Sequence, residues 1–158
     1  MKHARNAEPT QAKPARRPKL GILDGLLGYH LRRAQVALFQ HFSATVGAGG
    51  VTPAQLGVLS VIDANPGLSQ TQLGTALDID RSTVVGMIDQ LEAQALVERA
   101  PAPADRRSHA LRLSAAGTEA LRKLELAVRA HENAVASGLG PAERRRLIAL
   151  LKRIAPQV

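Results

Sequence analysis

The sequence predicts a mainly α fold that carries one small β-hairpin, and three observations point to it. The 158 residues include no tryptophan, no cysteine and three aromatic rings, Tyr29, Phe39 and Phe42, so the core must be built from Leu, Val, Ile and Ala. That palette favours helices packed on helices. Apolar residues recur at steps of three and four behind strong capping residues along most of the chain. Only one stretch, residues 96–113, reads as two short strands around a polar, Pro-containing loop. The length suits one domain with extensions. Absence of cysteine excludes disulfides, thiolate metal sites and thiol-based redox sensing. No run of eighteen apolar residues occurs, so no membrane span is expected. No apolar stretch with a cleavage site follows the basic N-terminus, so no secretion signal is expected and the chain reads as cytoplasmic.

Charge is unevenly distributed. The net charge is +8, and residues 1–19 carry Lys2, Arg5, Lys13, Arg16, Arg17 and Lys19 against Glu8 alone. The same segment holds Pro9, Pro14 and Pro18 and almost no large apolar side chain. It cannot bury enough surface to offset the entropy of ordering, so a disordered basic tail is expected, either solvated or touching phosphates.

Ordered structure is expected to begin at Leu20. Leu23, Leu27, Leu31, Ala34, Leu38 and Phe42 define the apolar stripe of a helix over roughly Leu20 to Val46, ended by Gly47, Gly49 and Gly50. Thr52-Pro53-Ala54-Gln55 opens the next helix with an N-cap, a proline at the first helical position and a capping box. Leu56, Leu59 and Ile62 give it an apolar side, and Asn65-Pro66-Gly67 stops it. Ser69 to Gln72 repeats the capping box and starts a short helix to Leu77. After a turn at Asp78-Ile79, Asp80 caps a further helix with Val84, Ile88, Leu91 and Ala95 on its core side. Strands are expected at Leu96–Arg99 and Ala110–Leu113. Ser114 caps a long helix to about Ser137 with Leu121, Leu124 and Val128 on one side, and Gly140-Pro141-Ala142-Glu143 starts a last helix with Leu147, Leu150, Leu151 and Ile154. A short helix, a tight turn, a second helix and then a hairpin make a winged helix-turn-helix.

The order and spacing of Arg81-Ser82-Thr83-Val84, Asp89-Gln90-Leu91-Glu92, Leu96-Val97-Glu98-Arg99, Asp105-Arg106-Arg107 and Leu113-Ser114-Ala115-Ala116-Gly117 resemble the MarR family of bacterial transcriptional regulators. The resemblance covers roughly residues 20–155. It implies a homodimer whose first and last helices interleave, with two winged lobes that grip a pseudo-palindromic double-stranded DNA operator. The expected division is a tail (1–19), an N-terminal dimerisation and ligand-rim helix (20–50), a winged lobe (51–113) and C-terminal dimerisation helices (114–158).

On the helix after Asp80, Ser82, Gly86, Asp89 and Ala93 lie opposite the core side, with Thr83 and Gln90 flanking them. Small polar groups at its start can approach base edges, and its N-terminal amides can hold a phosphate. Arg81 reaches backbone or base. The family resemblance makes Arg107 the minor-groove reader, Asp105 its support and Arg106 a phosphate contact. Gln70 and Arg99 complete the expected DNA-binding set. The chain departs from the family where long polar residues often stand: Gly86 and Gln90 are found there instead.

Every aromatic ring falls on the first helix, where Tyr29, His30, Arg32, Arg33, Phe39, His41 and Phe42 form an expected ligand rim able to stack a ring and pair an anion. Plain packing at a dimer seam is the competing use of the same residues. The resemblance implies a small aromatic effector that releases a repressor from DNA. The segment from Leu27 to Gln35 is similar to regulators of aromatic-acid catabolism that answer aromatic acyl-CoA thioesters, for whose phosphates Arg32 and Arg33 are candidates. A DNA-binding dimer without an effector, acting as an activator or architecturally, is the alternative. No Gly-rich phosphate loop, catalytic triad spacing or convergent carboxylate pair appears, so no enzyme activity is expected. No cofactor is expected, nor a metal: His30 and His41 are eleven residues apart, about 16 Å along a helix.

Overall fold

A computed structural model describes residues 18–47, 50–101 and 109–154. Most of the basic tail, and Asp105, Arg106 and Arg107 of the wing tip, lie outside the described residues. The elements are a 3-10 turn (Gly21–Gly25), α1 (Leu27–Thr45), α2 (Pro53–Ala64), α3 (Gln70–Leu77), α4 (Arg81–Ala93), β1 (Val97–Pro101), β2 (His109–Leu113), α5 (Ala115–Val135) and α6 (Pro141–Ile154). The chain forms two compact units, residues 1–34 and 35–158.

Two expected boundaries are corrected. The first helix does not run unbroken from Leu20. Gly21 sits at φ +59°, and Leu26 is extended at φ −94°, ψ 120°, so α1 starts at Leu27. Two glycines within five residues weaken this turn as α-helix. Nor does α4 reach Ala95, which is exposed at φ +55°. The Ala95 N–H donates to the Glu92 carbonyl and the Leu96 N–H to the Leu91 carbonyl, which closes α4 in a Schellman turn and throws the chain into β1.

The caps form as expected. Thr52 with Gln55 and Ser69 with Gln72 each make a reciprocal capping box, and Ser114 accepts from the Gly117 N–H. The core lies in the larger unit. Leu59, Ile62, Leu73, Ile88, Leu91, Leu111, Val58, Val84 and Val97 are fully buried, each contributing about 1.5–3 kcal/mol of burial. β1 and β2 pair antiparallel with Arg99 opposite Leu111. The Leu111 N–H and carbonyl also pair with the Leu68 carbonyl and the Gly67 N–H, at 2.9 and 2.8 Å. This pairing anchors the hairpin to the α2–α3 turn.

Glycine is required where α5 meets the hairpin. A Cβ on Gly117 would lie 1.9 Å from the Leu96 carbonyl oxygen. α5 can therefore start directly against the α4–β1 turn, where Ser114 also donates to the Ala95 carbonyl at 2.6 Å.

Candidate DNA interface

The helix-turn-helix is assembled from short-range signals. Gly74 lets α3 close on the following turn, because a Cβ there would meet the Ile79 carbonyl oxygen at 2.9 Å and Val84 at 3.3 Å. Asp78 takes the left-handed conformation at φ 52° as the C-cap of α3. Asp80 then starts α4. An open groove of about 450 Å³ follows this turn, lined by Gln70, Thr71, Asp78, Asp80 and Arg81 among others.

α4 has the two faces the sequence implied. Val84, Ile88 and Leu91 are buried, whereas Arg81, Ser82, Thr83, Gly86, Asp89, Gln90 and Ala93 are exposed. At its first turn, the Asp80 carboxylate accepts from the Thr83 N–H at 3.0 Å, the Ser82 hydroxyl at 2.5 Å and the Thr83 hydroxyl at 2.6 Å. The Ser82 hydroxyl, then the Thr83 hydroxyl and N–H, hold the Asp80 carboxyl far below the usual carboxylate range. Of the first-turn amides read as able to hold a phosphate, the Thr83 N–H is thus taken up by the cap. A carboxylate already occupies that end of the helix, and its charge opposes a second anion.

Gln70 and Arg99 lie together, but mainly face protein. The Arg99 guanidinium pairs with Asp89 at 2.5 Å and with Glu92, both on α4. With its amide oriented by the hydrogen-bond network, Gln70 accepts from Arg99 Nε at 3.1 Å and Nη2 at 3.2 Å. The Arg99 side chain is only 20% exposed. It links α3, α4 and β1, which fixes the pitch of α4 relative to the hairpin. Of the expected set, Arg81, Ser82, Thr83 and Gln90 thus present an open face, whereas Gln70 and Arg99 brace it.

The expected ligand residues fall in both compact units. In the first, Tyr29 and His30 meet edge to face at 5.4 Å, Arg33 lies over the Tyr29 ring at 5.8 Å, and His30 Nε2 contacts the Asp24 carbonyl oxygen at 2.8 Å. Arg32 is exposed. In the second, Phe39 is exposed, but Phe42 is a core residue, 6% exposed, packed edge to face on His131. His41 Nδ1 lies 2.8 Å from Nδ1 of His131, which is buried. His131 escaped the sequence reading, although it continues the α5 stripe of Leu121, Leu124 and Val128 at the same spacing. Among the described residues no three metal-ligating side chains converge, and no described helix is long and apolar enough to cross a membrane.

A model of the MarR family matches residues 49–108, the segment that holds α2 to β1 and the wing tip. A transcriptional regulatory protein for the hcr operon of Thauera aromatica is 44% identical over 138 residues, covering 87% of this chain and 83% of that protein. The chain belongs to the MarR family. It is a transcriptional regulator of MarR type, and MarR regulators act on DNA as dimers. Among solved structures, the repressor CouR bound to a 23-mer DNA duplex is 41% identical with a TM-score of 0.84, covering 89% of this chain and 99% of that one. CouR bound to p-coumaroyl-CoA is 38% identical with a TM-score of 0.79 over the same shares. The MarR-type lobe is therefore the part of the molecule in which the α4 face and its Arg99 brace operate.

Proposed function

We propose that this protein is a cytoplasmic, dimeric repressor that binds a pseudo-palindromic operator and is released by an aromatic acid or its CoA thioester. α4 lies in the major groove, Arg81 contacts backbone or base, and Arg107 of the wing enters the minor groove with Asp105 and Arg106 beside it. The terminal helices join two copies, a reading supported by the large apolar exposure along Leu23, Leu26 and Leu27 in the first unit and along α6 in the second. The observation that carries the effector class is the likeness to a repressor whose structure holds p-coumaroyl-CoA. Tyr29, with Arg33 over its ring, offers a matching pair of aromatic face and cation.

Release follows from population shift. An effector that fits only a lobe spacing unsuited to successive half-sites lowers operator affinity by its differential binding. The test adds p-coumaroyl-CoA, p-coumarate and CoA separately to the protein. An effector raises the melting temperature and weakens operator binding by the same linkage. If none of these, nor any related aromatic acyl-CoA, does either, the regulator works without such an effector.

A further inference from the structure

We propose that Ser82 and Thr83 read the operator only as hydrogen-bond acceptors, so that the bases they face are adenine or cytosine, whose amino groups donate in the major groove. The inference rests on the placement of α4 in that groove. A hydroxyl has one proton and two lone pairs. Ser82 gives its proton to Asp80 Oδ1 at 2.5 Å, and Thr83 gives its proton to Asp80 Oδ2 at 2.6 Å. Both hydroxyls belong to exposed residues on the first turn of α4, where a recognition helix meets base edges. What each oxygen still offers outward is a lone pair.

The commitment is firm because the acceptor is charged. A hydrogen bond to an ionised group is roughly twice as strong as a neutral one, so turning either proton toward DNA would exchange the stronger bond for the weaker. Asp80 cannot reverse the roles, since an ionised carboxylate donates nothing. In the major groove, adenine presents N6–H beside its N7 acceptor and cytosine presents N4–H, whereas guanine (O6, N7) and thymine (O4) present acceptors and no donor. Two acceptor oxygens therefore favour amino-bearing bases on the contacted strand and repel keto-bearing ones. Asp80 touches no base and yet sets the code. It is a positioning residue for two protons.

Asp80→Asn tests this without removing the cap, because asparagine caps helices as well as aspartate. Its amide oxygen replaces one carboxylate oxygen, and its NH2 donates to the hydroxyl that the other oxygen formerly accepted from. That hydroxyl then turns its proton outward. The full-length protein, Asp80→Asn and Thr83→Val are each used to select duplexes from a library with about 30 random base pairs, long enough for two half-sites a helical turn apart. Wild type is expected to enrich adenine or cytosine at the α4-facing position of each half-site. Asp80→Asn should exchange it for guanine or thymine, reversing a preference of about tenfold while the rest of the half-site persists. Thr83→Val, which keeps the Asp80 cap on the backbone, should leave its contacted position close to random. The same base preference in wild type and a folded Asp80→Asn would overturn the proposal. Should wild type enrich no sequence at all, the DNA-binding placement of α4 fails, and the inference falls with it.

Discussion

Helices α4 and α6 are nearly equal in length and both amphipathic, yet they meet opposite fates within one chain. α4 buries Val84, Ile88 and Leu91 completely. α6 buries nothing, and Leu147, Ile148, Leu150, Leu151 and Ile154 are all 37–49% exposed. An apolar stripe states that a helix needs a partner. It does not state whether that partner lies in the same molecule. α4 is held by its own lobe, with Ser82 and Thr83 tied to Asp80 and with Asp89 and Glu92 tied to Arg99. α6 is tied to α5 by polar contacts, from Arg144 to Glu132 at 2.6 Å and to Asn133 at 3.4 Å. On the proposed function this division suits a transcription factor, because a rigid reading head and a separable pairing surface can be tuned independently.

The largest expected effect comes from breaking α6. Leu147→Glu with Leu151→Glu places two charges one helical turn apart on its apolar face. Sedimentation should show a single subunit where the wild type is a dimer, with operator binding lost and the helical content of the lobe retained. A variant that stays dimeric would remove α6 from the pairing surface.

A smaller effect is expected at the brace. Arg99→Ala frees Asp89 and Glu92, whose side chains are 58% and 40% exposed, so the loss of stability should be no more than about 1 kcal/mol. Operator affinity should fall because α4 loses its fixed pitch. The slope of affinity against salt should not change. A slope lower by about one would instead make Arg99 a phosphate contact and return it to the DNA-binding set.

Gly86→Ala should change stability by a similarly small amount, in the opposite direction. A Cβ there meets nothing within 4 Å in the free chain, so the helix should gain about 1 kcal/mol and melt a few degrees higher. Thermal unfolding checks the sign.

Much of this lobe was legible before any coordinates. Capping at Thr52, Ser69, Asp80 and Ser114 is local chemistry, written within four residues, and all four caps formed as read. The faces of α4 followed from helical periodicity alone. What escaped the reading depends on residues far apart in sequence. His131 and His41 are separated by 90 positions. Arg99 reaches Asp89 and Gln70 only because the Schellman turn at Ala95 folds β1 back beside α4. Phe42 reads both as a stripe and as a rim residue because periodicity cannot say that His131 of α5 covers it.

The sequence by itself determined the starts of the helices after α1, the single hairpin, the order of elements and the side of α4 that faces outward, because each depends on neighbours within a turn or two of chain. Only the tertiary structure decided where the charge of Arg99 goes. It turns from an expected DNA contact into a brace across α3, α4 and β1, since a hydrogen bond exists only at a distance and angle that packing must first establish.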